Sequence, residues 1–427
     1  MKKLILGQIL NLAEDPFLHG ISDAGYRRDG AILVEEGVFR AFGSRAELLR
    51  AHPDCEVEDF GDALLLPSFV DCHAHYPQTR IIASWGKRLI DWLNGYTFPE
   101  EMKFSDAAYA RAVAEEYLSH SVANGITSAS VYCTIHPESV DALMQAALER
   151  GMAIAAGKVM MDRETAPDGL RDAAQASYDD SKALLERWHG QGRLRYAVTP
   201  RFAPTSTEAQ LAVAGALWAE HPGTTMQTHL SEQPEEIAWV KSLYPNDADY
   251  LAIYERFGLT GQGAIMGHCI HLTEREKAAM VADGTSVAHC PTSNTFIGSG
   301  LCDVRGLKEA GIPVGLATDV GGGSSFSMLR TMAAAYEISQ LRGQPLHPAE
   351  LLWLATKGSA QCMNAADAIG AFTLGNQADF VALNLASTPV IANRAARAND
   401  IWEAVFPTIM MGDDRAITAT WIAGQRQ

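Results

Sequence analysis

Short β-branched or apolar runs alternate along the chain with alanine-rich stretches whose apolar positions recur at helical spacing, a pattern of strands each followed by a helix. Eight strand candidates stand out: LLLPSFVDCHAHY (64–76), ITSASVYC (126–133), MAIAAGKVM (152–160), LRYAVTPRF (194–202), TTMQTHLSE (224–232), AIMGHCIHL (264–272), TSVAHCPTSN (285–294) and IPVGLATDV (312–320). Between them, FSDAAYARAVAEEYLSHSVANG is expected to start with Ser105 as its cap and stop at Gly125, and PESVDALMQAALERG to stop at Gly151. A hydroxyl satisfies the first free N–H groups of a helix, and glycine accepts the left-handed turn that ends one. Eight cycles of this kind predict an α/β fold, a (β/α)8 TIM-type barrel over 67–370. An open doubly wound sheet would instead carry a nucleotide-binding glycine fingerprint after its first strand, and none follows it.

The two ends read differently. Residues 1–66 contain AILVEEGVFRAFG, and 371–427 contain ADFVALN and AITATWIAG. These short strands joined by turn residues suit a small β-sandwich formed from both chain ends, with the barrel inserted between its halves. The opening MKKLILGQILNLAED has the look of a secretory leader, but Gln8 and Asn11 interrupt its apolar run and no small-residue cleavage site follows, so a first β-strand is expected.

Composition narrows the partners. The chain has 427 residues, 47% of them hydrophobic, and 34 basic against 51 acidic side chains leave a net charge of −17. That balance repels nucleic acid and anionic membrane, which leaves a small neutral ligand as the easier partner. No window is apolar over the roughly 18 residues a membrane span needs, and a cytoplasmic location is expected. The seven cysteines are scattered and never form a CxxC pair, which argues against a disulfide framework or a cysteine-zinc knuckle. Cys72 and Cys269 adjoin His73 and His268, but neighbours on a strand face opposite sides, so they are not counted as ligands.

The candidate chemistry lies at the strand ends. His73 and His75 are two apart in FVDCHAHYPQ, so both can face inward at roughly 6 to 7 Å separation and converge on one ion. His229, His268 and Asp319 end later strands, at the carboxyl rim where barrel active sites are built. Burying several imidazoles and a carboxylate without partners would cost a few kcal/mol apiece, and a shared cation removes that cost. The glycine-rich DVGGGSS (319–325) reads either as a phosphate cradle or as a tight turn carrying the strand-end aspartate; it lacks the lysine of a P-loop.

The order DCHAH, HLSE, GHC, ATD, on the expected strands, resembles the amidohydrolase superfamily over essentially the whole chain. HYPQ (75–78), DWLNGYTFPEE (91–101), KVMMDR (158–163), TPRFAPT (199–205), AHCPTSN (288–294) and DVGGGSSFSML (319–329) make the guanine deaminase family the nearest match. One departure is DRETAPDGL (162–170), where that family more often has an asparagine and a shorter link. Binuclear members of the superfamily carry a modified lysine on strand four; here that strand ends in Thr199, Pro200 and Arg201, with Lys158 on strand three as a remote alternative.

The resemblance implies a single Zn2+ per chain, with Fe2+ also acceptable to such donors, held by His73, His75, His229 and Asp319. It implies that His268 hydrogen-bonds near the attacking water or the substrate, that Asp319 and His268 orient the nucleophile, and that Glu232 carries the proton. Zinc brings the pKa of its water to about 7. A purine needs flat apolar walls and a few polar groups to read its edge. Trp92, Leu93 and Phe202 can supply walls, and Gln78 and Arg201 the edge contacts, although Trp92 also suits a core and Arg201 a partner carboxylate. The implied activity is conversion of guanine to xanthine and ammonia in purine catabolism or salvage, by a homodimer. Rival readings are a deaminase or dechlorinating hydrolase of another aminoheterocycle (8-oxoguanine, a triazine, a thioadenosine compound), a two-metal hydrolase of cyclic amides, and a non-catalytic scaffold of the same fold.

Overall fold

The computed structural model describes residues 2–22, 25–85 and 88–427. The strands are β1 (Lys2–Leu10), β2 (Tyr26–Glu35), β3 (Val38–Ser44), β4 (Glu56–Pro67), β5 (Phe69–His75), β6 (Ile126–Tyr132), β7 (Ala153–Gly157), β8 (Val159–Met160), β9 (Arg195–Pro200), β10 (Thr225–Leu230), β11 (Ala264–His268), β12 (Ser286–His289), β13 (Val314–Leu316), β14 (Phe380–Leu383), β15 (Ile417–Ile422) and β16 (Gln425–Arg426).

Strands β5, β6, β7, β9, β10, β11, β12 and β13 lie side by side in that order, all parallel, with β8 paired to β9. Backbone bonds from the chain beyond β13 close the ring onto β5: Asp319 N–H donates to the His73 carbonyl (2.9 Å), and His75 N–H to the Val320 carbonyl (2.6 Å). The Asp71 carboxylate reinforces that seam by accepting from Thr318 N–H (3.0 Å) and from the Thr318 hydroxyl. Helices such as Ala107–Ala123, Pro137–Arg150, Ala174–Trp188 and Glu208–Glu220 run between successive strands. This is the (β/α)8 barrel that the alternating pattern predicts.

Several boundaries move. The run 64–76 is two strands: Leu64–Pro67 pairs with β14 in the end sheet, and the chain passes at Ser68 into β5 of the barrel. Over 285–294 only Ser286–His289 is extended, because Pro291 opens a short helix, Pro291–Phe296, that carries Ser293 and Asn294 to the rim. The cap of Ala107–Ala123 is Asp106 rather than Ser105. Its carboxylate accepts from Ala108 and Tyr109 N–H, while the Ser105 hydroxyl turns back to the Met102 carbonyl. Gly151 does end its helix in the left-handed conformation, φ +67°.

The chain ends form one seven-stranded sheet, β16-β15-β14-β4-β1-β2-β3, antiparallel except where β1 lies along β4. Four strand steps separate β14 from β3, a span of roughly 19 Å in a flat sheet. Instead Phe39 and Phe380 sit with ring centroids 6.0 Å apart, and Val38 bridges Gln377. The sheet therefore folds across itself, and its inner face packs in the manner of a sandwich around Phe39, Phe372, Phe380 and Trp421. A bidentate pair joins it to the barrel: the Arg193 guanidinium donates to both Asp379 oxygens and to the Gly151 carbonyl (3.0 Å). Among the described residues no helix is long and apolar enough to cross a membrane.

Trp421 stacks on Phe380 at 4.2 Å and is 1% exposed. Trp421→Ala is expected to lower unfolding free energy by about 3–5 kcal/mol, read from urea titrations monitored by circular dichroism.

Candidate active site

The site is assembled by β5, β10, β11 and the turn after β13. Pairing of β5 with β6 slips between Asp71 and Ala74, where the bulged strand carries one residue more than its partner. Such a bulge re-aims side chains next to a site, and here it brings the His73 and His75 rings to 5.1 Å. Simple alternation along a strand does not contain that feature. Tyr132 of β6 backs both rings, at 4.8 and 4.4 Å. Gly267 on β11 leaves the room His73 needs, since a Cβ there would stand 2.7 Å from the His73 ring.

His75 Nε2 and His229 Nε2 face each other at 3.2 Å, and Asp319 Oδ1 lies 3.4 Å from His73 Nε2 and 3.5 Å from His75 Nε2. The ligand atoms of His73, His75 and His229 all fall within 4.8 Å of one another. His229 Nδ1 must carry its proton, because its partner at 2.7 Å is the Arg201 carbonyl, which only accepts. Burial first, and then the neighbouring imidazoles, hold His75 and His229 well below the ordinary histidine value, so both rings are neutral. The lone pair of His229 Nε2 is thus aimed at His75 Nε2, which either donates to it as the Nε2–H tautomer or, as a second lone pair, shares a cation with it.

His73 Nδ1, His73 Nε2 and His75 Nδ1 are buried without a hydrogen-bond partner. Burial pushes the Asp319 carboxyl up, but His73, with its Nε2 3.4 Å away, and the nearby His268 ring overcome it and hold the group at about 2. Three neutral imidazoles and one ionised carboxylate form a donor set suited to a divalent cation with nitrogen and oxygen preference. Asp319 and His268 both have positive φ, 49° and 68°. Side-chain-bearing residues rarely adopt that conformation, and such strain collects at functional sites.

Glu232 and His268 stand beside this centre. Glu232 follows β10, with one carboxylate oxygen receiving the Ser299 hydroxyl (2.7 Å) and the other 3.5 Å from His268 Nε2. Burial lowers the His268 pKa, but Glu232 and Asp319 outweigh it and raise the group overall, and its Nδ1 is held at 2.9 Å by Asn294 Oδ1. Beneath Glu232, the buried Glu236 carboxylate accepts from the N–H groups of Glu232 (2.9 Å) and Gln233 (3.1 Å) and from the Tyr250 hydroxyl (2.9 Å).

A cleft opens on these groups. Every residue expected to read or wall a substrate lines it: Gln78, Trp92, Leu93, Arg201 and Phe202. Two alternative readings hold at the same time. Trp92 is 2% exposed and packs with Leu89, Phe98 and Phe202 while also forming a wall, and Arg201 has its carboxylate partner, Glu101, with Nη1 to Oε2 at 2.7 Å. Glu101, Ser299, Asn294 and Cys290 were not singled out by sequence reasoning. Cys290 has its thiol among the ligand atoms of His73, His268 and Asp319. AHCPTSN carried the signal for Asn294 and Cys290 and DWLNGYTFPEE for Glu101; nothing in a lone serine marks Ser299.

Lys158 is committed elsewhere. Its ammonium pairs with Asp172 in the following loop and approaches the Ser177 hydroxyl at 3.4 Å, with 1% of the residue exposed. The departing loop 162–170 sends Ala166 and Leu170 into the cluster that supports Phe202. DVGGGSS is the tight turn: Gly323 N–H donates to the Asp319 carbonyl at 2.6 Å, and Gly322 gives Asp319 its space, since a Cβ would stand 3.1 Å from Oδ2.

Residues 64–426 match the amidohydrolase family. The chain belongs to that family. It is 43% identical over 398 residues to guanine deaminase of Escherichia coli strain K12, covering 93% of this chain and 90% of that one. Among solved structures it superposes on E. coli guanine deaminase with a TM-score of 0.95 and 40% identity, over 100% of this chain and 99% of that one. It also superposes on guanine deaminase from C. acetobutylicum with guanine bound in the active site, with a TM-score of 0.91 and 28% identity, over the full length of both chains.

Burial, followed by the charge of Glu232, pushes Glu236 from an ordinary 4.5 up to about 7. The folded protein then holds a proton that the unfolded chain releases, so this group stabilises the fold at low pH and loses that contribution as pH rises from about 4.5 to about 7. Glu236→Gln is expected to remove this slope. Its unfolding free energy relative to the unaltered protein should improve by roughly 2–3 kcal/mol between pH 4.5 and pH 8, measured by urea unfolding at both pH values.

Proposed function

We propose that this chain hydrolyses guanine to xanthine and ammonia, with His73, His75, His229 and Asp319 holding one Zn2+ per chain. The observation that carries the reading is the convergence of these four groups on one point. An unligated carboxylate, Glu232, stands beside them at the floor of a flat-walled cleft. Full-length similarity to guanine deaminases supports the choice of substrate. When bound, the cation supplies Lewis acidity that makes a water a usable nucleophile near neutral pH.

The side chains do the rest. Trp92, Leu93 and Phe202 hold the purine plane, and Gln78 and Arg201 fix its edge so that C2 faces the donor cluster. Glu232 takes the proton from the attacking water and passes it to the ring nitrogen beside C2 as the C–O bond forms. Glu232 then carries the remaining proton of the added oxygen to the exocyclic amine, the C–N bond breaks as the C2 carbonyl forms, and ammonia leaves. His268, favoured in its charged form between Glu232 and Asp319, hydrogen-bonds to the oxygen that gains charge. The Ser299 hydroxyl keeps Glu232 pointed at its task. Iron(II) suits the same donors, and metal analysis of protein purified from its native cells distinguishes the two ions. The same reading takes the working form as a cytoplasmic homodimer. A net charge of −17 fits a neutral heterocycle better than nucleic acid or a lipid surface.

Glu232→Gln is expected to reduce guanine turnover, followed by xanthine formation, by about 10²–10⁴-fold, while elemental analysis still finds about one metal ion per chain. Near-normal turnover would remove Glu232 from the proton path. Chelator-treated protein is expected to lose activity and regain it with Zn2+. An assay of guanine, 8-oxoguanine, adenine, cytosine, thioadenosine compounds and triazines should show guanine preferred; inert guanine in that set would overturn the reading.

A further inference from the structure

Glu101 is fully buried and lies at the end of the short helix Phe98–Glu101. It does not line the cleft, yet its two oxygens are each engaged by a residue that does. Oε2 accepts from Arg201 Nη1 at 2.7 Å, and Oε1 accepts from Gln78 Nε2 at 3.0 Å. A carboxylate only accepts, so it dictates the sense of the Gln78 amide: the NH2 end must face Glu101. The Gln78 carbonyl oxygen is left on the other side, where Gly321 N–H approaches it at 3.4 Å, too far to occupy it fully. Arg201 spends one amino group on Glu101 and keeps its remaining donors, held with its guanidinium over the Phe98 ring at 5.6 Å.

We infer that Glu101 is a positioning residue that sets the hydrogen-bond code of the cleft: donors from Arg201 beside an acceptor from Gln78. That code complements a lactam edge, a ring carbonyl next to a ring N–H, as at C6 and N1 of guanine. It opposes an amidine edge, an amino group next to a bare ring nitrogen, because donor would meet donor and acceptor would meet acceptor. Sites built to hydrogen-bond one edge reject the mismatched one strongly, since buried polar groups are then left unpaired. The ionised carboxylate also balances the Arg201 charge, so the cleft is tuned to a neutral ring.

The inference rests on the guanine-deaminating reading and is tested by comparing guanine with 2,6-diaminopurine. Both carry the reacting 2-amino group and differ only at the edge Glu101 is held to specify. Metal content and urea unfolding are measured alongside kcat/KM for each purine. In Glu101→Gln the new amide can donate to the Gln78 oxygen and lets that side chain turn over. The guanine to diaminopurine ratio of kcat/KM should therefore fall by about tenfold or more, with metal content unchanged. Glu101→Asp, which keeps the charge but withdraws it by one methylene, should give an intermediate ratio, and it carries the test alone if the glutamine variant does not fold. A merely structural role would depress both substrates equally. An unchanged ratio in a folded, metal-replete variant overturns the inference while leaving guanine deamination standing; an unaltered protein that converts neither purine overturns the underlying reading instead.

Discussion

An imidazole taken out of water with its nitrogens unsatisfied costs a few kcal/mol, and this fold gathers three imidazoles, with a carboxylate, at one end of its barrel. His73 leaves both ring nitrogens and His75 its Nδ1 without a hydrogen-bond partner, while the Nε2 atoms of His75 and His229 face each other at 3.2 Å. A cation at the centre would turn the facing lone pairs into a bond set. The surroundings are organised around the same demand. The bulge in β5, the missing side chain at Gly267 and the left-handed backbone at Asp319 are departures from regular structure, each placed where a donor has to be aimed.

On the proposed reading, substrate recognition and metal binding share a residue. The Arg201 side chain faces the cleft and pairs with Glu101, while its backbone carbonyl fixes the tautomer of His229 and also receives the Thr228 hydroxyl (3.2 Å) and the His229 N–H (3.2 Å). A displacement of the chain at 201 would thus be felt at both the ligand and the recognition face. Glu232 is held in a similar way from two sides, by Ser299 on its carboxylate and by Glu236 on its backbone.

Much of this was legible in the sequence because the informative residues lie at the ends of strands with regular period. The strand count, the barrel and the grouping of His73, His75, His229, His268 and Asp319 all follow from position relative to apolar runs, and Glu232 was added by the family resemblance. The cleft walls were legible through resemblance of whole segments. What escaped has a common cause: a side chain acting through another side chain leaves no periodic trace. Glu101 and Ser299 matter because of what they touch across the fold, about 100 and 67 positions away. The split of 64–76 between two sheets escaped for a related reason, since both halves are apolar and only the partners of Leu64–Pro67 reveal the change.

Those partners have a consequence for synthesis. β4 needs β14 on one of its sides, and β14 is made more than three hundred residues later. Throughout that interval β4 presents open backbone groups and the apolar row Leu64, Leu65, Leu66 to the crowded space outside the ribosome. Such an edge invites pairing with a stranger. The nascent protein therefore has reason to be shielded by a chaperone until β14 emerges, and loss of β14 would expose the hazard permanently.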